Sequence, residues 1–272
     1  MHAPPLLRWA GSKKRSLPEM LPVLPKSYGR YVELFAGSAS LFFRLAPGRA
    51  ILSDNNIQLM SFYRTVRFRP AAVYKQFASI PRDRETYYAV RQSYEFLPDA
   101  VMRAACFFYL NRNCFNGIYR TNLRGAFNVP FSDERVPPYP TEEEVEHAAK
   151  ALRRASLECV DFCEAGKRNA ESGDFVYLDP PYYRPRKRVF REYSSRPFAA
   201  EDIARLQRLL RVLDKRKAKF LLSYPACPMS ERLAKEWQHT AISVRRTVAG
   251  NVGFRGNARE LLIFNYSPAN EQ

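Results

Sequence analysis

The sharpest chemistry in the chain sits in four consecutive residues, Asp179-Pro180-Pro181-Tyr182, which close the apolar run Phe175-Val176-Tyr177-Leu178. A buried strand over that run delivers the Asp179 carboxylate at its carboxyl end. Pro180 keeps Asp179 out of the helical region, and Pro181 restricts Pro180 in turn, so the turn is stiff and its polar groups are preorganised. The Asp179 carboxylate and the Pro180 carbonyl are two fixed acceptors, since proline loses its N–H but keeps its C=O. Together they could hold both hydrogens of an amino group on an aromatic ring. Such an amine is a poor nucleophile because its lone pair is delocalised. Holding its hydrogens favours a more tetrahedral nitrogen, whose lone pair can attack an electrophile held in line, a reaction dominated by positioning. The ring of Tyr182 would stack on that of the amine. A plain Pro-rich loop does not account for strand, acid, double proline and aromatic together.

A second candidate is Glu33-Leu34-Phe35-Ala36-Gly37-Ser38-Ala39-Ser40, a glycine turn between the apolar run Tyr31–Phe35 and a helical stretch, Ser40–Leu45. In an open α/β sheet such a turn lies at the carboxyl ends of the strands, where ligands bind. Gly37 tolerates backbone shapes that larger residues resist and leaves room for close approach. Asp54 ends the next strand, Ala50–Ser53, and its carboxylate could accept both hydroxyls of a ribose. Taken alone, these residues fit an ordinary strand–turn–helix equally well. No Gly-x-Gly-x-x-Gly pattern is present, which argues against a dinucleotide.

Positioning these groups requires a sheet. Tyr31–Phe35, Ala50–Ser53, Phe175–Leu178 and Phe220–Tyr224 read as short buried parallel strands ending at turn signals. They alternate with helices, including Glu201–Leu213 with Ile203, Leu206, Leu209, Leu210 and Leu213 on one stripe. The expectation is an α/β fold. From Ile57 to Ala155 the texture changes to helices rich in Arg and Tyr, with a turn-rich loop over Asn111–Pro130 and a helix over Thr141–Arg154 whose Thr141 and Glu144 stand in capping-box spacing. This predicts a catalytic unit over 1–56 and 156–272, split by an inserted lobe over 57–155.

The 272 residues carry 44 Lys and Arg against 27 Asp and Glu, a net charge of +17. That excess points to a polyanionic partner, most simply nucleic acid. Hydrophobic content of 46% is that of a folding chain rather than a disordered one. Cys106, Cys114, Cys159, Cys163 and Cys227 are an odd set with no matching His cluster, since His2, His147 and His239 are scattered. They read as reduced thiols in an intracellular protein, with no metal expected. No run reaches the length of a membrane span, and the N-terminus lacks the apolar core of a signal peptide.

Several blocks in one order resemble the Dam-type DNA adenine-N6 methyltransferases: Arg8-Trp9-Ala10-Gly11-Ser12-Lys13, Phe35-Ala36-Gly37, Leu110–Arg120, Asn122–Pro130, Asp179–Tyr182, and Val244-Arg245-Arg246 with Arg259–Ile263. They run from Leu6 to Tyr266. The resemblance implies a Rossmann-like methyltransferase sheet with an inserted, mainly helical DNA-recognition domain containing a hairpin loop. It implies S-adenosyl-L-methionine as cofactor, the N6 of an adenine flipped out of duplex DNA as target, and GATC as the default site. Trp9 and Lys13 would line the methionine end of the cofactor, Phe35 and Gly37 its loop, Asp54 its ribose, and Asp161 and Phe162 its adenine. Asp179 would contact both the cofactor's amino group and the target amine. The family usually carries a second glycine where this chain has Ala39, a change that costs only a methyl if the dihedrals are ordinary.

Read for DNA contact, the middle segment offers Arg112, Asn116, Tyr119, Arg120, Asn122 and Arg124. Arg can grip guanine and Asn adenine in the major groove, and Phe115 or Tyr119 could wedge into the gap left by an extruded base. Arg124 is the first choice for base reading. Arg186, Lys187 and Arg188, just after the catalytic turn, and Arg245, Arg246, Arg255 and Arg259 suit phosphates. The resemblance implies a cytoplasmic, prokaryotic or phage-encoded, DNA-associated monomer, with more than one copy per DNA allowed and no membrane partner. Three alternatives stay open. A cytosine-N4 methyltransferase more often carries Ser where Asp179 stands. A DNA-binding module without catalysis would not need Asp54, Asp179 and Tyr182. An RNA methyltransferase would lack support from any separate RNA-binding motif.

Overall fold

The computed structural model describes residues 3–122, 125–133, 137–182, 198–246 and 256–268. Its centre is a seven-stranded sheet in the order β3-β2-β1-β4-β5-β7-β6. The strands are β1 (Tyr31–Glu33), β2 (Ala50–Ser53), β3 (Ala155–Glu158), β4 (Phe175–Leu178), β5 (Lys219–Pro225), β6 (Gln238–Arg246) and β7 (Gly256–Phe264). The first five run parallel, and β7 returns antiparallel to both β5 and β6. This is a Rossmann-like α/β sheet with an antiparallel edge. The apolar runs predicted as strands are strands; β3, β6 and β7 join them.

Side chains alternate across the sheet. Tyr31, Tyr177, Leu221 and Leu262 enter one buried cluster. Val32, Leu34, Val176, Leu178, Leu222 and Leu261 enter the other. The second cluster is closed by α8 (Phe162–Asn169) and α9 (Ala200–Lys215). Leu206, Leu209, Leu210 and Leu213 of α9 are wholly buried, as their helical spacing predicts.

The first face is covered by the remaining helices: α1 (Leu17–Met20), α2 (Ser40–Leu45), α3 (Ile57–Phe68), α4 (Pro70–Ser79), α5 (Arg84–Ser93), α6 (Ala100–Asn113) and α7 (Glu142–Leu152); α10 (Pro228–Leu233) follows β5. Side-chain caps start several of them: Asn56 accepts from the Leu59 N–H, Asp83 from Thr86, Asp99 from Met102, and Thr141 with Glu144 forms the predicted capping box. α6 is buried from Ala104 through Asn113. A helix apolar on all sides needs partners all round. Phe62 of α3 and Phe77 of α4 supply them, the latter stacked on Phe108 at 4.2 Å. The segment between β2 and β3 therefore shares one buried core with the sheet, because its aromatic faces and the sheet's Tyr31, Phe42 and Phe175 fall in a single cluster.

Candidate active site

Because β1 to β5 are parallel, their carboxyl ends share one edge, and every chemically suggestive residue from the strand turns lies there. Glu260 joins them from the antiparallel β7, since it pairs with Pro225 at the end of β5.

The turn after β1 is held from three sides. Asp54 accepts the Gly37 N–H through Oδ2 (3.0 Å) and the Asn56 N–H through Oδ1 (2.9 Å). Tyr63 donates its hydroxyl to the Gly37 carbonyl at 2.7 Å. Gly37 has φ +45°, and a Cβ there would stand 2.9 Å from the Trp9 ring. Glycine is thus required both by conformation and by the indole lying on it. Ser12, Ser38 and Ser40 bond to one another at 2.8–3.0 Å, tying the N-terminal block to the start of α2. Ala39 is left-handed, with φ 50° and ψ 37°. The substitution for glycine is therefore not free: an L residue there carries about 1–2 kcal/mol of strain.

At the ends of β2 and β3 stand Asp54 and Asp161. Burial raises the Asp54 carboxyl above its usual range. Asp161 caps α8 by accepting from the Cys163 N–H at 2.9 Å and also pairs with Arg205. Phe162 stacks on Phe35 at 5.1 Å, and the Arg205 guanidinium lies over the Phe162 ring. An acid and two apposed rings thus stand side by side next to the glycine turn.

After β4 comes Asp179, and the structure brings Lys13 to it. Lys13 is 5% exposed and donates to Asp179 Oδ1 at 2.6 Å. Its ammonium is also 3.1 Å from Glu260 Oε1 and 3.4 Å from the Tyr182 hydroxyl. Ser223 donates to Glu260 Oε1 at 2.6 Å. Burial alone would lower the Lys13 ammonium, but Asp179 and Glu260 more than offset it and hold it well above its ordinary value. Burial raises the Asp179 carboxyl, Lys13 draws it down and Glu260 pushes it up, leaving it at about 6. The hydroxyl of Tyr177, two residues before Asp179 and on the same face, is buried with no partner among the described residues. Glu33, two residues after Tyr31 on that face, accepts the Tyr31 hydroxyl at 2.8 Å and is raised by burial to about 8.

Trp9, Lys13, Phe35, Gly37, Asp54, Asp161, Phe162, Asp179, Pro180, Pro181 and Tyr182 all fall along this edge or against it. Glu33, Tyr63, Tyr177, Arg205, Ser223 and Glu260 are functional candidates the motif reading passed over. Glu260 had one sequence signal: with Arg259 it opens the apolar run Leu261-Leu262-Ile263, in a block that the family resemblance had already picked out.

The segment expected to face DNA divides. Arg112 is buried at 8% exposure and donates to the carbonyls of Leu6 and Pro138; burial lowers it to about 10. It is a structural clamp, not a surface reader. Tyr119 is 4% exposed and stacks on Trp9 at 5.4 Å, so it is no wedge, whereas Phe115 is 41% exposed. Arg120 donates to Asn128 across a short antiparallel pairing that continues through Asn122 and Ala126, and Asn116 turns the chain with φ 55°. Asn122 is exposed. Arg124, Arg186, Lys187, Arg188 and Arg255 lie outside the described residues, as do the side chains of Arg245 and Arg246. Asn111 clasps the N-terminal block, accepting from the Arg8 N–H at 2.8 Å and donating to the Arg8 carbonyl at 2.7 Å. The five cysteines are free thiols. No helix among the described residues is long and apolar enough to cross a membrane.

Comparison with known proteins gives a concordant result. The profile of the D12 class N6 adenine-specific DNA methyltransferase family matches residues 9–249. The chain is 34% identical to the DNA adenine methylase of Escherichia coli (strain K12), covering 96% of this chain and 95% of that one. It is 32% identical to the Type II methyltransferase M1.LlaDCHI of Lactococcus lactis subsp. cremoris, with the same coverage. It is 32% identical to the Type II methyltransferase M.MjaIII of Methanocaldococcus jannaschii, covering 98% and 100%.

Proposed function

Because the chain belongs to the D12 class of N6 adenine-specific DNA methyltransferases, we propose that Asp179, Pro180 and Tyr182 hold the target adenine while Trp9, Lys13, Phe35, Gly37, Asp54, Asp161 and Phe162 bind S-adenosyl-L-methionine. When bound, that cofactor supplies a methyl group on a sulfonium. The residues suit it. Each Asp54 oxygen takes one backbone N–H through the bonds at Gly37 and Asn56, leaving lone pairs for ribose hydroxyls. Phe35 and Phe162, stacked on each other beside the glycine turn, offer an apolar wall for an adenine.

The observation that carries the reading is the buried group of Lys13, Asp179 and Glu260 beside Tyr182. Lys13 takes Asp179 Oδ1, and no described residue donates to Oδ2. Oδ2 is then the acceptor for one amino hydrogen and the Pro180 carbonyl for the other. As the nitrogen–methyl bond forms, the amine must shed a proton. Asp179, raised to about 6 and ionised at neutral pH, stands at that nitrogen to take it.

The segment 57–155 would read the DNA through the surface around Phe115, Asn116, Arg120, Asn122 and Arg124, with Arg186, Lys187 and Arg188 on phosphates. GATC is the first sequence to assay. The test is to incubate the protein with labelled cofactor and duplex DNA, digest to nucleosides and identify the product. N6-methyladenine is expected. N4-methylcytosine, or no transfer, would sink the reading.

A further inference from the structure

The protein carries a net charge of +17, yet its buried catalytic group has the opposite sign. Lys13 is one positive charge set between two carboxylates, Asp179 and Glu260, with 5%, 17% and 4% side-chain exposure. A Lys13–Asp179 pair alone would be neutral. Glu260 makes the group negative, and no second cation among the described residues reaches it. Burying an uncompensated charge is costly. The site nonetheless holds Glu260 firmly, by the Ser223 hydroxyl at 2.6 Å and by strand pairing on both sides, to Pro225 in β5 and Ile242 in β6. The other titratable groups around it do not cancel it. Tyr177 and Tyr182 are neutral phenols whose ionisation is pushed up by burial. Glu33, near Asp179, carries no positive charge in either form.

We propose that Glu260 is a specificity residue that supplies the site's excess negative charge, so that the site prefers a cationic sulfonium to the neutral thioether left after transfer. The inference rests on the functional reading above and deepens it. Its chemical content is discrimination between two ligands that share adenine, ribose and amino-acid ends and differ at sulfur. Whatever the site contributes to the shared adenine, ribose and amino-acid ends is common to both and cancels in the ratio of their affinities. What remains is the response of the site to one positive charge. Such a preference favours loading of fresh cofactor and release of spent product.

The experiment is calorimetric and needs no turnover. Dissociation constants are measured at pH 7.5 for S-adenosyl-L-methionine, for S-adenosylhomocysteine, and for sinefungin, which carries an ammonium in place of the methylsulfonium. Wild type is compared with Glu260→Gln and Glu260→Asp, and Glu260→Met supplies a second neutral side chain if the amide disturbs folding. Neutral variants should weaken both cationic ligands about tenfold relative to the thioether, the scale of one charge acting through partly buried protein. Glu260→Asp should restore the wild-type ratio. Equal shifts for all three ligands would make Glu260 a merely structural residue and overturn the proposal. Failure of wild type to bind any of them would instead overturn the functional reading on which it stands.

Discussion

Lys13 and Asp179 lie 166 residues apart in the chain and 2.6 Å apart in the fold. The pairing joins the N-terminal block to the turn after β4, and it sets the charge state of the acid at the centre of the proposed reaction. Burial is the largest influence on Asp179 and raises it; Lys13 is the next and lowers it.

Transfer should therefore lose rate as pH falls through about 6, where Asp179 takes a proton. Lys13→Met removes the one cation that draws Asp179 down and leaves burial and Glu260, which both push it up. The acid limb should move to higher pH, and the rate at pH 7 should fall by about 100-fold, a loss typical of a misplaced or neutralised catalytic group. Single-turnover rates from pH 5 to 9 at saturating cofactor read this out, with circular dichroism confirming the fold. An acid limb that stays near pH 6 in the variant would show that Lys13 does not govern Asp179.

Much of the parallel half of the sheet was legible. Phe175–Leu178 and Ala50–Ser53 are strands with the predicted bounds, because an apolar run cut off sharply by Asp-Pro or Asp-Asn has one reading when both faces are buried. The antiparallel edge was not. Among the described side chains of β6 only Ile242 is buried, a pattern weaker than a continuous apolar run, and at the opposite, parallel edge β3 has only four residues with exposed Ser156 among them. The site was legible wherever acid and turn are neighbours in sequence, as at Asp54 and Asp179. Glu260 was not, because its partners, Lys13 and Ser223, come from other elements. Arg112 and Tyr119 fail as surface residues for the converse reason. Each looks like a DNA contact by type, but α6 packs on all sides and Tyr119 is drawn inward by Trp9. Ala39 shows that a motif departure can be cheap in volume and still costly in dihedral angle.

Backbone strain also lies away from the site. Lys217, just past α9, has φ 61° and is exposed. The Ala218 N–H donates to the Leu213 carbonyl and the Lys217 N–H to the Asp214 carbonyl, the bond pattern of a helix end that favours glycine at this position. Lys217→Gly should stabilise the fold by about 0.5–1 kcal/mol, because glycine takes the left-handed region without the Cβ conflict. Chemical denaturation measures it, and methylation should be unchanged. A destabilised variant would mean that the lysine makes a compensating interaction.

The buried acid Glu33 yields a dependence of stability on pH whose sign is opposite to that of a salt-bridged carboxylate. Burial raises it to about 8, against an unfolded value near 4.3. Below the unfolded value both states hold the proton and there is no effect. Between the two values the folded state retains a proton that the unfolded state has lost, so stability falls as pH rises, and above about 8 the cost is complete. Glu33→Gln keeps an acceptor for the Tyr31 hydroxyl and has no proton to lose. The variant should match wild type near pH 4.5 and exceed it by about 5 kcal/mol at pH 8.5, at about 1.4 kcal/mol for each pH unit between the two values. Urea unfolding of both proteins at the two pH values tests this, since all other titrating groups are common to them and cancel in the difference. A gap that does not widen with pH would show that Glu33 is ionised in the folded protein, held by a charge partner rather than by burial alone.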